Sequence, residues 1–554
     1  RSLWSDVPDA NLLGGGAAGR LPPADARRLF TGVASARLLD AGNRLVPGNT
    51  RINRALLGLG PTDPETADDV LAWMSAQDTL GDPGPQSPAV IAYPDAGRQV
   101  AVIATQDGMI QAFDVDSGIE LWGWMPKELL PRTPTLMRDM PTTARSHGVE
   151  GPLVLNRYDP NGDGRIDVAS GEHLWLLFAL GRGGNRYYAL DVARPDDPRL
   201  LWSWQLPDAG VLSLAEPVVT RLAIAGSGQS AGEWVVLLAG GYDPRFDANG
   251  ATGGGAGAAI HVLDALSGRP LWSAGDRGDL RVPGLDSLPS APRALDLDGD
   301  RLLDHAYALD VMGSLWRLDF KNERPRAELA SAQRLARLGD GKQRFFATPD
   351  VSMAQFGNDT RIAIAAGSGW ITRPRDTALE DRMYVVFDHA PPGAVRELTD
   401  ADLYDATDAK DAMPPDAPGW YVRFESHGAG EKVAGTTVTF DHALRFTTYQ
   451  PLPVDEATPC GPPRSVARMY ALDVRTALPH ATAVESEDDK PEEIAASGLP
   501  TGARFAFPGR WADACEGCRP RPFGIIGGET FDPGYAGDPV RTSWRKLPPP
   551  PVSP

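Results

Sequence analysis

One short pattern recurs six times along this chain of 554 residues, and it limits the fold more than any other feature. The clearest copy runs from Gln106 to Trp122, QDGMIQAFDVDSGIELW. It reads as a turn glycine, an alternating strand ending in Asp, a second turn with glycine, and a strand carrying Trp. Asn185–Asp191 with Leu201 and Trp202 repeats it, as does Ile260–Gly268 with Leu271 and Trp272. Weaker copies stand at Leu315–Asp319, Met383–Asp388 and Met469–Asp473.

A small antiparallel sheet cannot bury both faces alone, whereas radially packed sheets share a core and leave only short edges. The copies lie roughly 55 to 85 residues apart, wider than the ~40 to 50 of compact propeller repeats. Loops inserted within blades account for the excess. The expectation is therefore an all-β chain, a seven-bladed β-propeller with long inserted loops, its seventh blade closed by less regular strands. The Asp ending each strand sits where a turn begins and can take backbone N–H groups there. The recurrent Trp rings are expected to fill space between blades.

Around this core the chain divides into three. Residues 1–81 form an irregular lead-in with one short helix, where Pro64 and acids precede apolar Val70, Leu71, Trp73 and Met74. Residues 82–478 hold the repeats. Residues 479–554 begin as an acidic loop and end in an extended proline-rich tail expected to close or pack on the propeller. Sixty glycines and 51 prolines fit a chain of many turns.

The net charge of −19 argues against nucleic acid and anionic lipid, which need a basic face. No run of eighteen apolar residues exists, so no helix is expected to span a bilayer. The chain starts at Arg1 without a signal-peptide pattern, and a mature form or a piece of a longer chain is expected. Cys460, Cys515 and Cys518 are the three cysteines, too few for a four-thiolate zinc site. A disulfide among them, local or through Cys460, fits an oxidising compartment.

Two acidic loops carry the candidate chemistry. In Asp159–Asp167, DPNGDGRID, oxygens fall at places one, three, five and nine as Asp159, Asn161, Asp163 and Asp167. Arg165 would give its carbonyl and Gly164 the sixth-place bend, the spacing of a calcium loop. Place twelve is Ser170 and Glu172 is out of register, so affinity on the order of 10⁻⁴ to 10⁻³ M is expected. An Asx-rich turn is the alternative. The second loop places Asp296, Asp298, Asp300 and Asp304 likewise, with Arg301 in place of the bend glycine. A non-glycine residue with positive φ costs about 1 kcal/mol or more, which metal binding could offset. His305–Phe320 follows as a hairpin turning at Met312-Gly313-Ser314. A third acidic stretch, Asp243–Gly250, has the wrong spacing.

Arg277-Gly278-Asp279 spells the integrin-type adhesion tripeptide, and an exposed acidic turn accounts for it as well. The eight histidines show no pairing at ligand spacing, and no Ser–His–Asp grouping or phosphate-cradling glycine motif stands out. Nothing in the chain points to catalysis.

From about Leu80 onward the chain resembles the C-terminal propeller of the PilY-type proteins that assemble type IV pili. The likeness rests on GMIQAFDVDSGIELWGWMP (108–126), RYYALDVARPDDPRLLWSW (186–204), EWVVLLAGGYD (233–243), DLDGDRLLDHAYALDVMGSLWRLDF (296–320), FTTYQP (446–451) and SWRKL (543–547). The acidic loop followed by the Leu-Trp-Arg-Leu-Asp strand is the most specific of these. The resemblance implies a modified seven-bladed propeller binding Ca2+ through Asp296, Asp298, Asp300, the carbonyl of Leu302, and Asp304. It further implies a non-enzymatic, exported protein at the cell surface or pilus tip, its calcium occupancy tied to pilus extension and retraction. Pilins and minor pilins are the expected partners, with host-surface receptors if the tripeptide is functional. Arg301 departs from the family's glycine and shifts weight to the Asp159 loop. The alternative is a quinoprotein (PQQ-dependent) dehydrogenase propeller with a redox cofactor near calcium. The vicinal cysteines typical of many such enzymes are missing.

Overall fold

The computed structural model describes Trp4 and residues 16–531, apart from 85, 140–146, 164, 231, 390–392, 394–395, 454–463, 481–490, 495–498, 501, 503, 507–522 and 527–528. All three cysteines, Gly164 and the proline-rich tail lie outside the described residues. Six sheets have four or more strands, and a further sheet, Arg504–Phe531, has three among the described residues. Each of the six repeat copies supplies the third strand across a separate sheet. These strands are Ile110–Asp114, Arg186–Asp191, Ala259–Asp264, Ser314–Phe320, Arg382–His389 and Ser465–Asp473. The sequence grammar thus marks one strand per sheet.

The chain forms two compact units, Arg1–Val219 with Leu263–Pro270 and Thr220–Val262 with Leu271–Pro554. In the first unit, Trp124 stands edge-on to Tyr188, centroids 5.7 Å apart, and Tyr188 stacks on Phe178 at 5.1 Å. Trp124 belongs to the first sheet, Phe178 and Tyr188 to the second, so one face of each sheet is buried by the other. In the second unit the same role falls to Ile362, Ile364, Tyr384 and Val386 packed with Tyr307, Leu309 and Leu315. An ion pair lies within that packing. Arg317 and Asp388, side chains 2% and 1% exposed, meet at 2.7 Å, and Tyr307 donates to the same carboxylate at 3.0 Å.

In three of the six copies the turn after this third strand explains the Asp and the residue with positive φ. Asp114 accepts from Ser117 N at 3.0 Å, Asp264 from Ser267 N at 2.9 Å and Asp473 from Arg475 N at 2.8 Å. The residue four places on has positive φ: Gly118 at 72°, Gly268 at 68°, Ala477 at 63°. An indole docks on these turns. Trp202 donates to the carbonyl of Ala265 at 2.9 Å, Trp420 to that of Val474 at 2.9 Å, and Trp4 to that of Val115 at 2.9 Å. A Cβ on Gly268 would lie 2.5 Å from Trp202, which is why glycine sits beneath the ring. The Trp side chains therefore tie strands to turns as well as filling space.

The lead-in does more than its sequence announces. Helix α1, Ala67–Ala76, starts on a Thr66–Asp69 capping box and buries Val70, Leu71 and Met74, as its pattern requires. Leu29–Thr31, however, is a strand that runs parallel to Glu120–Met125 and extends the first sheet to five strands. A second short helix, α2, spans Thr133–Arg138. No helix among the described residues is long and apolar enough to cross a membrane.

Candidate functional site

Both acidic loops occupy the same place in their sheets. Residues 159–172 join the first strand of the second sheet, Val154–Tyr158, to its second strand, His173–Ala179. Residues 296–304 join Arg293–Leu295 to His305–Leu309 in the fourth sheet. Each loop ends on an acid followed by histidine. His173 Nδ1 pairs with Asp191 at 2.7 Å, and His305 Nδ1 with Asp319 at 2.9 Å. Both partner carboxylates come from the third strand of the same sheet, so the histidine pins the end of the loop to the sheet.

In the first loop, consecutive Asx turns shape the backbone. Asp159 accepts from Gly162 N at 2.7 Å, Asn161 from Asp163 N at 2.8 Å, and Asp163 from Arg165 N at 2.8 Å. The acids brought together are Asp159, Asp163 and Glu172, with ligand oxygens within 4.8 Å of one another. Glu172 is 2% exposed and accepts from Asn161 Nδ2 at 2.6 Å and from Asp167 N at 2.7 Å.

Asp167 stands apart. It caps the 3-10 turn Val168–Ser170, accepting from Ala169 N at 2.9 Å and Ser170 Oγ at 2.6 Å. Those bonds, led by the Ser170 hydroxyl, hold its carboxyl below the usual carboxylate range. The ninth-place acid is thus spent on the backbone, and the extra turn brings Glu172 round in its place. Sequence spacing placed Glu172 out of register. The Glu172-His173 and Asp304-His305 pairs are the signal that would have found it. Arg165 is exposed, and its N–H belongs to the Asp163 turn.

The second loop gathers Asp296, Asp298 and Asp304, again with ligand oxygens within 4.8 Å. Asp304 takes the N–H groups of Leu297 and Asp298 at 2.7 and 3.3 Å. Burial, with the neighbouring charge of Asp298 adding to it, raises the Asp304 carboxyl above its ordinary value. Asp300 lies outside the cluster and accepts from Leu302 N at 2.7 Å. Arg301 does take the left-handed conformation, φ 75°, and its N–H is held by Asp296 at 2.8 Å. The bend that glycine would make freely is therefore made by arginine against a steric cost of about 1 kcal/mol.

All-oxygen donor sets of this kind suit a hard cation such as calcium rather than zinc or copper. Asp159, Asp163 and Glu172 would hold it in one loop and Asp296, Asp298 and Asp304 in the other, with Asn161 at the rim of the first. Such a cation would neutralise carboxylates that otherwise repel one another.

The other candidates are used structurally. Asp279 of the Arg-Gly-Asp tripeptide accepts from Ser273 N at 3.0 Å and from Arg326 Nη2 at 2.9 Å, while Arg277 is exposed. Gly278 is tightly packed, since a Cβ there would lie 2.6 Å from the Ser273 carbonyl. In the third acidic stretch Asp243 caps the turn at Pro244–Asp247, and Asp247 accepts from Tyr242 OH at 2.7 Å.

Comparison with known proteins bears on this arrangement. Residues 92–355, which include both acidic loops, match the family model of the PilY1 beta-propeller domain. The type IV pilus biogenesis factor PilY1 of Pseudomonas aeruginosa strain UCBPP-PA14 is 29% identical over 222 residues, 39% of this chain and 17% of that protein. A PilY1 homolog of Xylella fastidiosa is 26% identical over 293 residues, 50% of this chain and 20% of that protein. The chain thus spans about a fifth or less of the length of these curated relatives. The crystal structure of the Pseudomonas aeruginosa PilY1 C-terminal domain superposes with a TM-score of 0.55 at 20% identity, covering 78% of this chain and 91% of that one. At that identity the likeness speaks to fold.

Proposed function

Because this chain carries the C-terminal β-propeller of the PilY-type family, we propose that it serves type IV pilus biogenesis as a non-enzymatic, calcium-binding factor. The relatives that match it are named pilus biogenesis factors. The observation that carries the calcium part is the paired placement of the two acidic loops, each closed by a buried or half-buried acid next to a histidine pinned to its sheet. A metal in such a loop draws several carboxylates onto one point, and its loss lets them repel and the loop open. The loop surface would then change shape with calcium, and that change is the lever by which occupancy controls pilus extension and retraction. The partners are pilins and minor pilins, and the site of action is the cell surface or pilus tip after export. Adhesion through Arg277-Gly278-Asp279 requires Asp279 to leave Ser273 and Arg326, so an adhesive partner would compete with those bonds.

The test is genetic and biochemical together. In the source bacterium, Glu172→Gln and Asp304→Asn in one chain should reduce surface pili and twitching while protein abundance is unchanged. Normal twitching in the double variant, with calcium binding abolished on the purified protein, would separate calcium from pilus function and overturn the proposal.

A further inference from the structure

A cavity of about 260 Å³ opens between helices α1 and α2 and the first sheet, lined by none of the residues of either acidic loop. Its apolar lining includes Trp73, Met74, Met109, Met125 and Leu136. Methionine is flexible and polarisable, so such walls reshape around a guest. The polar groups at its wall are more telling. Gln111 is 2% exposed, and its side-chain oxygen has no hydrogen-bond partner among the described residues. The amide cannot simply be turned over. Its Nε2 donates to Glu120 Oε1 at 2.7 Å, and the reverse orientation would set oxygen against carboxylate. Glu120 is itself held by Arg27, through Nε at 2.9 Å and Nη2 at 2.7 Å.

Arg27 is the basic residue of the wall, and it is fully used, since its remaining nitrogen Nη1 donates to the Gln77 carbonyl at 2.9 Å. The Asp107 carboxylate also lines the cavity, one oxygen taking the Thr105 hydroxyl. The wall therefore offers acceptors, negative charge and an indole face, and no spare cationic donor. We propose that this cavity binds a small organic amine: an apolar, ring-sized body among the methionines, with an ammonium group directed to Asp107 and the Gln111 oxygen. The Trp73 ring would add cation–π attraction, and the charge of −19 raises the local concentration of cations. The volume is just under the usual range for drug-sized ligands, which suits a molecule of about ten heavy atoms.

The test uses 2-phenylethylamine against its neutral analogue 2-phenylethanol, with binding to the purified chain followed by calorimetry and by Trp fluorescence. The amine should bind at least about tenfold more tightly than the alcohol, because only it makes a charge-assisted bond. Asp107→Asn and Gln111→Met should each weaken the amine about tenfold, while Met74→Trp should fill the space and abolish binding. Melting temperature verifies that each variant is folded, and the Met74→Trp protein serves where a polar variant is not. Equal affinity for amine and alcohol, undiminished binding in folded Met74→Trp protein, or no saturable binding of the amine would each overturn the proposal.

Discussion

Asp381 shows how much a single carboxyl can weigh. It is 1% exposed, accepts from Ser368 Oγ at 2.7 Å, and its second oxygen has no partner among the described residues. Burial pushes its carboxyl up to about 7. Lys432 nearby is driven down, also by burial, with its ammonium on the carbonyls of Pro374 and Asp376 at 3.1 and 2.6 Å. A carboxyl whose folded value lies above its unfolded value contributes stability that is complete below about 4 and lost as pH rises through about 7. Asp381→Asn cannot ionise, so its urea midpoint should change less than wild type between pH 5 and pH 8. At pH 8 it should be the more stable by roughly 1 to 3 kcal/mol. Parallel pH profiles would show that Asp381 is not the group concerned. None of this was legible in the sequence, where Glu380-Asp381 resembles any solvated acidic loop. The gathering of Asp159 with Asp163 and of Asp296 with Asp298 and Asp304 was legible because acids at fixed places of a short loop turn toward one point. Glu172 was hidden because one 3-10 turn, capped by Asp167, moves it into the place that Asp167 was expected to fill.

At the scale of the element, the turn after the third strand is what makes the repeat visible. Its Asp, glycine and docked Trp are three parts of one contact. Substituting the glycine should therefore cost more than backbone strain alone. Gly210 has φ 77° with nothing within 4 Å of a built Cβ, whereas Gly268 has φ 68° with Trp202 at 2.5 Å. Gly210→Ala should cost about 1 kcal/mol, the left-handed penalty. Gly268→Ala should cost roughly 2 to 4 kcal/mol, since it also displaces the indole and its bond to Ala265. Denaturant midpoints of the two variants measure the difference, and equal losses would mean the indole contact contributes little. Strands with this turn could be read from the sequence. Leu29–Thr31 could not, since three residues pairing along Glu120–Met125 are too few to show a period.

Across the whole molecule, an acidic chain gathers carboxylates at two equivalent loop positions. The propeller class was readable because six copies of one sequence pattern mark strands in six sheets; the number of blades was not, because the sequence after Asp473 carries no further copy. The measurement that bears most directly on the central claim is a calcium titration of the purified chain, with bound metal counted, for wild type, Glu172→Gln, Asp304→Asn, the double variant and Asp167→Asn. Wild type and Asp167→Asn should bind two ions and melt at higher temperature in calcium. Each of the other single variants should bind one, and the double variant none. No heat and no thermal shift in the wild type, or loss of a site in Asp167→Asn with Glu172→Gln unaffected, would contradict the account.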